Sequence, residues 1–278
     1  MRKNERCFTY EQRSLYDAPM AKKKPHQTES LDAWAAQLAA LDGDDTTSRR
    51  RKPPITPQRI VQAALALVAA EGFDALTMRR VASALETGPA SLYAHVRDKA
   101  ELDDLLIGEL CARVELPTPS PDAWMMQFKA ICAQLRDLYL ANPGISQATF
   151  SGAPRNLHAL RINEGLLAIL LAGGVEAQPA AWAIDAAILY VGAYSLERSL
   201  RQADSQGVDG QPCDRDGIAA RLRMLPASHF PHTVAHLREI VAGNGHERFD
   251  FTLDLLLRGL ALNSPQPGQE LAAGPGKP

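Results

Sequence analysis

Arg79, Arg80 and Ser83 fall outside the apolar stripe formed by Met78, Val81, Ala82 and Leu85, which repeats at helical spacing. A few residues on, Leu92 and Val96 share the inner face of a second short helix. Ala90, Ser91 and Ala94 then point outward, with Tyr93 and His95 on the flanks. The chemistry open to such a set is non-covalent. Arginine reaches a guanine bidentately or takes a phosphate, serine bonds either kind of base, tyrosine and histidine suit phosphate oxygens, and an alanine methyl packs on a thymine methyl. Covalent chemistry has no comparable candidate, because GxSxG, HExxH, P-loop and GxGxxG patterns are all missing and the GNG at 243–245 reads as a helix stop. Cys7, Cys111, Cys132 and Cys213 form no CxxC pair, which argues against a disulfide scaffold or structural zinc and fits a reducing cytoplasm. His232 and His236 share a helix face near His229, yet the flanking Pro226 and Pro231 favour a solvated helix. Neither a metal nor a cofactor is expected.

The elements that must position these side chains are punctuated clearly. Thr56 caps a first helix with Pro57 at its first position, and Ile60, Ala64, Leu67 and Val68 recur until Gly72 closes it. Thr77 caps the second helix, a turn follows at Glu86–Gly88, and the third begins near Pro89 or Ala90. Asp98 caps a fourth through Leu102, Leu105, Leu106 and Leu110. Residues 49–100 carry nine basic and four acidic side chains, whereas 101–278 carry fourteen and twenty, although the 278-residue chain as a whole has a net charge of only −2. A basic module for a polyanion on an acidic body is the natural reading. Two short helices around a tight turn, inside a three-helix unit, have the geometry by which a helix enters the DNA major groove.

The run LTMRRVASALETGPASLYAHVRDKAELDDLL, Leu76 to Leu106, resembles the helix-turn-helix and following helix of the tetracycline-repressor (TetR) family, with the pattern reaching back to Ile60. The ending FDFTLDLLLRGL and the helical remainder look like the C-terminal domain of the tetracycline-repressor branch. The resemblance implies an all-α fold with a DNA-binding domain at 53–100, a connecting helix at 99–112, and a regulatory and dimerisation body at 101–262. It assigns Thr77, Arg79, Ser91, Tyr93, His95 and Lys99 to the DNA face, with Ala90 beside them. Tyr93 has an alternative, wedged against the first helix. One position departs from the family pattern: Glu86 stands where a glycine usually follows the last leucine of the second helix. Either the turn is unchanged and costs on the order of 1 kcal/mol, or the third helix starts elsewhere.

Further helices are expected at 122–141, 155–172, 179–201, 214–225, 232–242 and 247–262. The 179–201 helix is apolar almost all round between Ala180 and Leu196, so it must be buried on several sides. The last helix has one apolar stripe of Phe249, Leu253, Leu256 and Leu260 and another of Phe251 and Leu255. The resemblance implies that these two helices pair with their copies in a homodimer; the alternative is that both are core helices of a monomer. It also implies a small-molecule pocket, with Phe150, His158, Trp182, Tyr190 and Tyr194 as lining candidates that plain core packing would equally explain. Tetracycline itself is not implied, because GISQATFSGAP lacks the histidine expected there.

Residues 1–52 form an N-terminal extension expected to be largely disordered, with a short helix near 30–41 and a basic arm, Arg49, Arg50, Arg51 and Lys52, that could enter a minor groove or be only a solvated linker. The tail at 263–278 reads as disordered. With no signal peptide and no apolar run of bilayer length, no membrane partner is expected. The resulting expectation is a cytoplasmic repressor that binds a palindromic double-stranded operator and is released by a small-molecule inducer. The alternatives are an activator, a protein-responsive regulator, or a helical enzyme with an incidental helix-turn-helix.

Overall fold

The computed structural model describes residues 53–151, 156–204, 215–243 and 245–263. The predicted helix near 30–41, the arm Arg49–Lys52 and the tail beyond 263 lie outside the described residues. Among those described there are helices and no strand.

The head is built from α1 (Pro57–Glu71), α2 (Met78–Ala84) and α3 (Pro89–Tyr93), followed by α4 (Lys99–Ala112). Each of the three caps read from the sequence is made. Thr56 Oγ1 accepts from the Arg59 amide at 3.3 Å, Thr77 Oγ1 from Arg80 at 3.2 Å, and Asp98 Oδ1 from Glu101 at 2.8 Å. These bonds satisfy amides that a helix start leaves without an intrahelical partner. Ile60, Ala64, Val68, Val81, Leu92 and Val96 are buried together, and the same core continues through Leu102, Leu106 and Leu110 of α4 into the body.

The body comprises α5 (Trp124–Leu140), α6 (Leu157–Ala172), α7 (Ala177–Asp204), α8 (Arg215–Arg223), α9 (Pro231–Ala235), α10 (Leu237–Val241) and α11 (Glu247–Asn263). The sequence anticipated these helices within a few residues, with one difference. The expected helix at 232–242 is two short ones, because the chain leaves helical geometry at His236 (φ −112°, ψ 28°). Two 3-10 segments, Phe73–Ala75 and Ile145–Ser151, were not anticipated. Asn156 caps α6 through its own side chain, at 2.8 Å from the His158 amide. That side chain presses so closely on Gly108 of α4 that a Cβ there would lie 2.0 Å from Asn156 Nδ2.

The long helix α7 is long and apolar enough to cross a membrane by length and composition alone, its most apolar 18-residue stretch having a mean hydropathy of 1.2. One side of it, however, carries Ala180, Ala183, Ala187, Val191 and Tyr194 into the core. On α11, Phe249, Leu253 and Leu257 are buried, and Lys129 of α5 pairs with Asp254 at 2.7 Å. Phe251 and Leu255 stand on the opposite side, 62% and 57% exposed, as the two-stripe pattern requires.

Candidate nucleic-acid interface and ligand cavity

The turn between α2 and α3 keeps the geometry that a glycine would ease. Glu86 has φ 51°, and α3 starts at Pro89 without a shift. Leu92 and Val96, both buried, anchor α3 from below, so Ala90, Tyr93, Ala94 and His95 face outward. Tyr93 is 52% exposed and therefore not wedged against α1. Ser91 is half-buried, and its Oγ accepts from Thr87 Oγ1 at 3.1 Å, which leaves its own hydroxyl free to donate.

The cations of the head differ in how far they are already engaged. Arg80 is tied to the Glu71 carboxylate and reaches the Ala75 carbonyl, joining the end of α1 to the start of α2. Arg97 pairs with Glu101 at 3.2 Å. The Lys99 ammonium pairs with Asp103 and sits 4.1 Å from the centre of the Phe73 ring. Burial pushes the Asp103 carboxyl above its ordinary value against the pull of Lys99. Arg79 is exposed and makes no hydrogen bond or ion pair with any described residue. Of two adjacent arginines, one is spent on the fold and the other projects to solvent.

In the body, α4, α5, the 145–151 segment, α6 and α7 leave a cavity of about 420 Å³. Its wall is chiefly aliphatic, with Ile107, Leu135, Ile162, Ile184 and Ile188, and it also carries Tyr139, Thr149, Asn163, Asp104 and Asp185. None of Phe150, His158, Trp182, Tyr190 and Tyr194 belongs to this wall. On α7 the cavity takes Ala181, Ile184, Asp185, Ile188 and, at 50% exposure, Leu189, one helix face by their spacing, and Tyr190 and Tyr194 lie on the other. Tyr190 stacks on Phe249 and donates to the Arg248 carbonyl at 3.2 Å; Tyr194 meets His246 Nδ1 at 3.0 Å. Trp182 is 69% exposed, Phe150 is partly exposed against Gly192, and His158 lies in the first turn of α6. Aromatic content was a poor guide because this wall is made of the same aliphatic residues as the core.

Residues 60–103 match the family model for bacterial regulatory proteins of the tetR family, and residues 116–263, more than half of the chain, match that for the tetracyclin repressor-like C-terminal domain. The chain belongs to the TetR family. Among curated relatives, the HTH-type transcriptional repressor DrrR1 of Streptomyces coeruleorubidus is 30% identical over 222 residues, which is 77% of this chain and 80% of that one. An HTH-type transcriptional regulator of Saccharopolyspora erythraea is also 30% identical, over 76% of this chain and 87% of its own length. Among solved structures, ActR of Streptomyces coelicolor in complex with actinorhodin is 34% identical, with a TM-score of 0.69 over 77% of this chain and 99% of that one. This TetR-family member is thus a ligand-responsive transcriptional regulator of the repressor type. The family is one of DNA-binding regulators, normally without enzymatic activity, and a DNA-binding member is expected to be soluble.

Proposed function

We propose that this regulator binds a palindromic operator as a homodimer in the cytoplasm and is released when a small molecule enters the 420 Å³ cavity. One observation carries the reading. The chain from Pro143 to Thr149 joins head and cavity: the Phe73 amide donates to the Pro143 carbonyl at 2.8 Å, and Gln147 reaches Asp74 at 3.4 Å. A few residues later, Ala148 and Thr149 form part of the cavity wall. A ligand that displaces this segment acts directly on the loop between α1 and α2.

In this reading Arg79 and Ser91 address base edges, Ala90 packs on a thymine methyl, and Thr77, Tyr93, His95 and Lys99 take phosphates. Arg49, Arg50, Arg51 and Lys52 add a minor-groove arm. The second copy covers the exposed apolar residues of α7 and α11, Trp182 and Leu189 with Phe251 and Leu255. No metal or cofactor enters the scheme. The actinorhodin complex of ActR supports a ligand-holding body.

The test is a gel shift on DNA flanking the coding region, combined with size measurement and addition of candidate metabolites. The reading expects a dimer on DNA and release that is reciprocal, with DNA weakening ligand binding by the factor by which ligand weakens DNA binding. A monomer at micromolar concentration with and without DNA would overturn it. Deleting residues 1–52 should flatten the salt slope by about 0.9 for each phosphate the arm neutralises.

A further inference from the structure

A second cavity, of about 150 Å³, lies where the last turns of α7 meet α8, α10 and the start of α11, and it shares no lining residue with the larger one. Arg198, Arg201 and Arg248 line it, Tyr194 is buried at its floor, and Ile218, Ile240 and Val241 form an apolar side. Two carboxylates approach the cavity, Glu197 and Glu247, the latter with Oε2 3.4 Å from where a Cβ of Gly243 would lie. Glu197 accepts from Arg201 at 2.8 Å and also from Arg248, so a single carboxylate serves two guanidinium groups. Arg198 makes no hydrogen bond or ion pair with any described residue, and no Asp or Glu is among the described residues of the lining. Behind the floor, Arg136 lies over the Phe249 ring at 4.8 Å. Burial first, then the Arg136 guanidinium, lowers the His246 pKa from its ordinary value, with Asp137, which pairs with Arg136 at 2.8 Å, opposing.

We propose that this cavity is a ligand site for a small organic anion, whose carboxylate or phosphate is gripped by Arg198 with help from Arg201 and Arg248. A planar guanidinium fork matches either anion with two parallel bonds. The apolar side takes a short hydrocarbon body. The site is separate from the inducer cavity, and its occupancy is read without DNA, so its success or failure is independent of the operator and inducer reading.

The experiment is calorimetric titration of the full-length protein with hexanoate and with inorganic phosphate, at ionic strength held constant with potassium chloride. Saturable binding of at least one probe is expected, hexanoate alone marking a carboxylate with a hydrocarbon body and phosphate alone a phosphate head. Arg198→Gln should weaken it about tenfold or more, the loss typical of a bond to a charged group. Arg113→Gln, which removes a partner of Glu109 on α4, should leave it unchanged. No saturable binding of either probe, or equal losses in both variants, would overturn the proposal. So would an Arg198→Gln protein that binds both probes normally but dissociates more readily into monomers, since the arginine would then serve the subunit contact.

Discussion

The backbone amide of Phe73, just past the end of α1, donates to the carbonyl of Pro143, just past the end of α5. The two residues close a contact in which the Phe73 ring also carries the Lys99 ammonium, and Gly144 packs on the Phe73 Cβ. Beside the core that the head and body share through α4, this contact leaves little room for a larger residue at position 144.

Gly144 has φ 81°, and a Cβ there would sit 3.2 Å from Phe73 Cβ. Gly144→Ala should cost about 1 kcal/mol or more, from the left-handed backbone alone. It should also change the ratio of operator affinities with and without inducer. A urea titration gives the first number and paired gel shifts the second; an unchanged ratio would remove this contact from the signalling route.

At Glu86, φ 51° places a non-glycine residue where glycine is favoured. Glu86→Gly should raise stability by about 1 kcal/mol, because the left-handed strain disappears, and should leave operator affinity nearly unchanged. The urea midpoint should rise at constant slope.

Arg79 and Arg80 are neighbours with opposite expected phenotypes. Arg79→Ala should relax preference at one operator position at a cost of about 1 to 3 kcal/mol. Arg80→Ala loses an exposed pair with Glu71, should change stability little, and should weaken all operator variants alike. Lys99→Ala should also act on all sequences alike. Its salt slope should change by less than the full ~0.9 per phosphate, since Asp103 already holds the ammonium. Binding to a panel of single-base operator variants at several salt concentrations separates the three.

Phe251 and Leu255 form the outer stripe of α11. Leu255→Asp should convert dimer to monomer in sedimentation at micromolar protein while helical content by circular dichroism stays close to the parent value. A persistent dimer would move the subunit contact off this face.

Stability should fall at alkaline pH. Burial pushes the Cys111 and Cys132 thiols up to about 12 from the ordinary value of 9.0, and raises the Tyr139 phenol as well. These groups stay protonated in the fold and ionise first in the unfolded chain. Their contribution is therefore complete below pH 9.0 and is lost as pH rises toward 12. Replacing both cysteines with alanine should make the decline in urea midpoint above pH 9.0 shallower.

What the sequence alone determined was local. Thr56, Thr77 and Asp98 mark helix starts because a short side-chain oxygen satisfies an amide two or three residues away. Leu92 and Val96 name the inner face of α3, and Phe249 against Phe251 names the two stripes of α11, because helical spacing is a property of the chain itself. Tertiary packing decided the rest. Nothing in their types separates Arg79 from Arg80; only the approach of Glu71 and the Ala75 carbonyl makes one structural. Ile107, Leu135, Ile162 and Ile184 read as core like any other aliphatic residues, and they line a cavity because four helices leave a gap where they meet. The bond from Phe73 to Pro143 joins residues far apart in the chain, and no periodicity encodes it. A cavity and a contact between head and body are properties of how elements stack, so they arise only once every helix has chosen its neighbours.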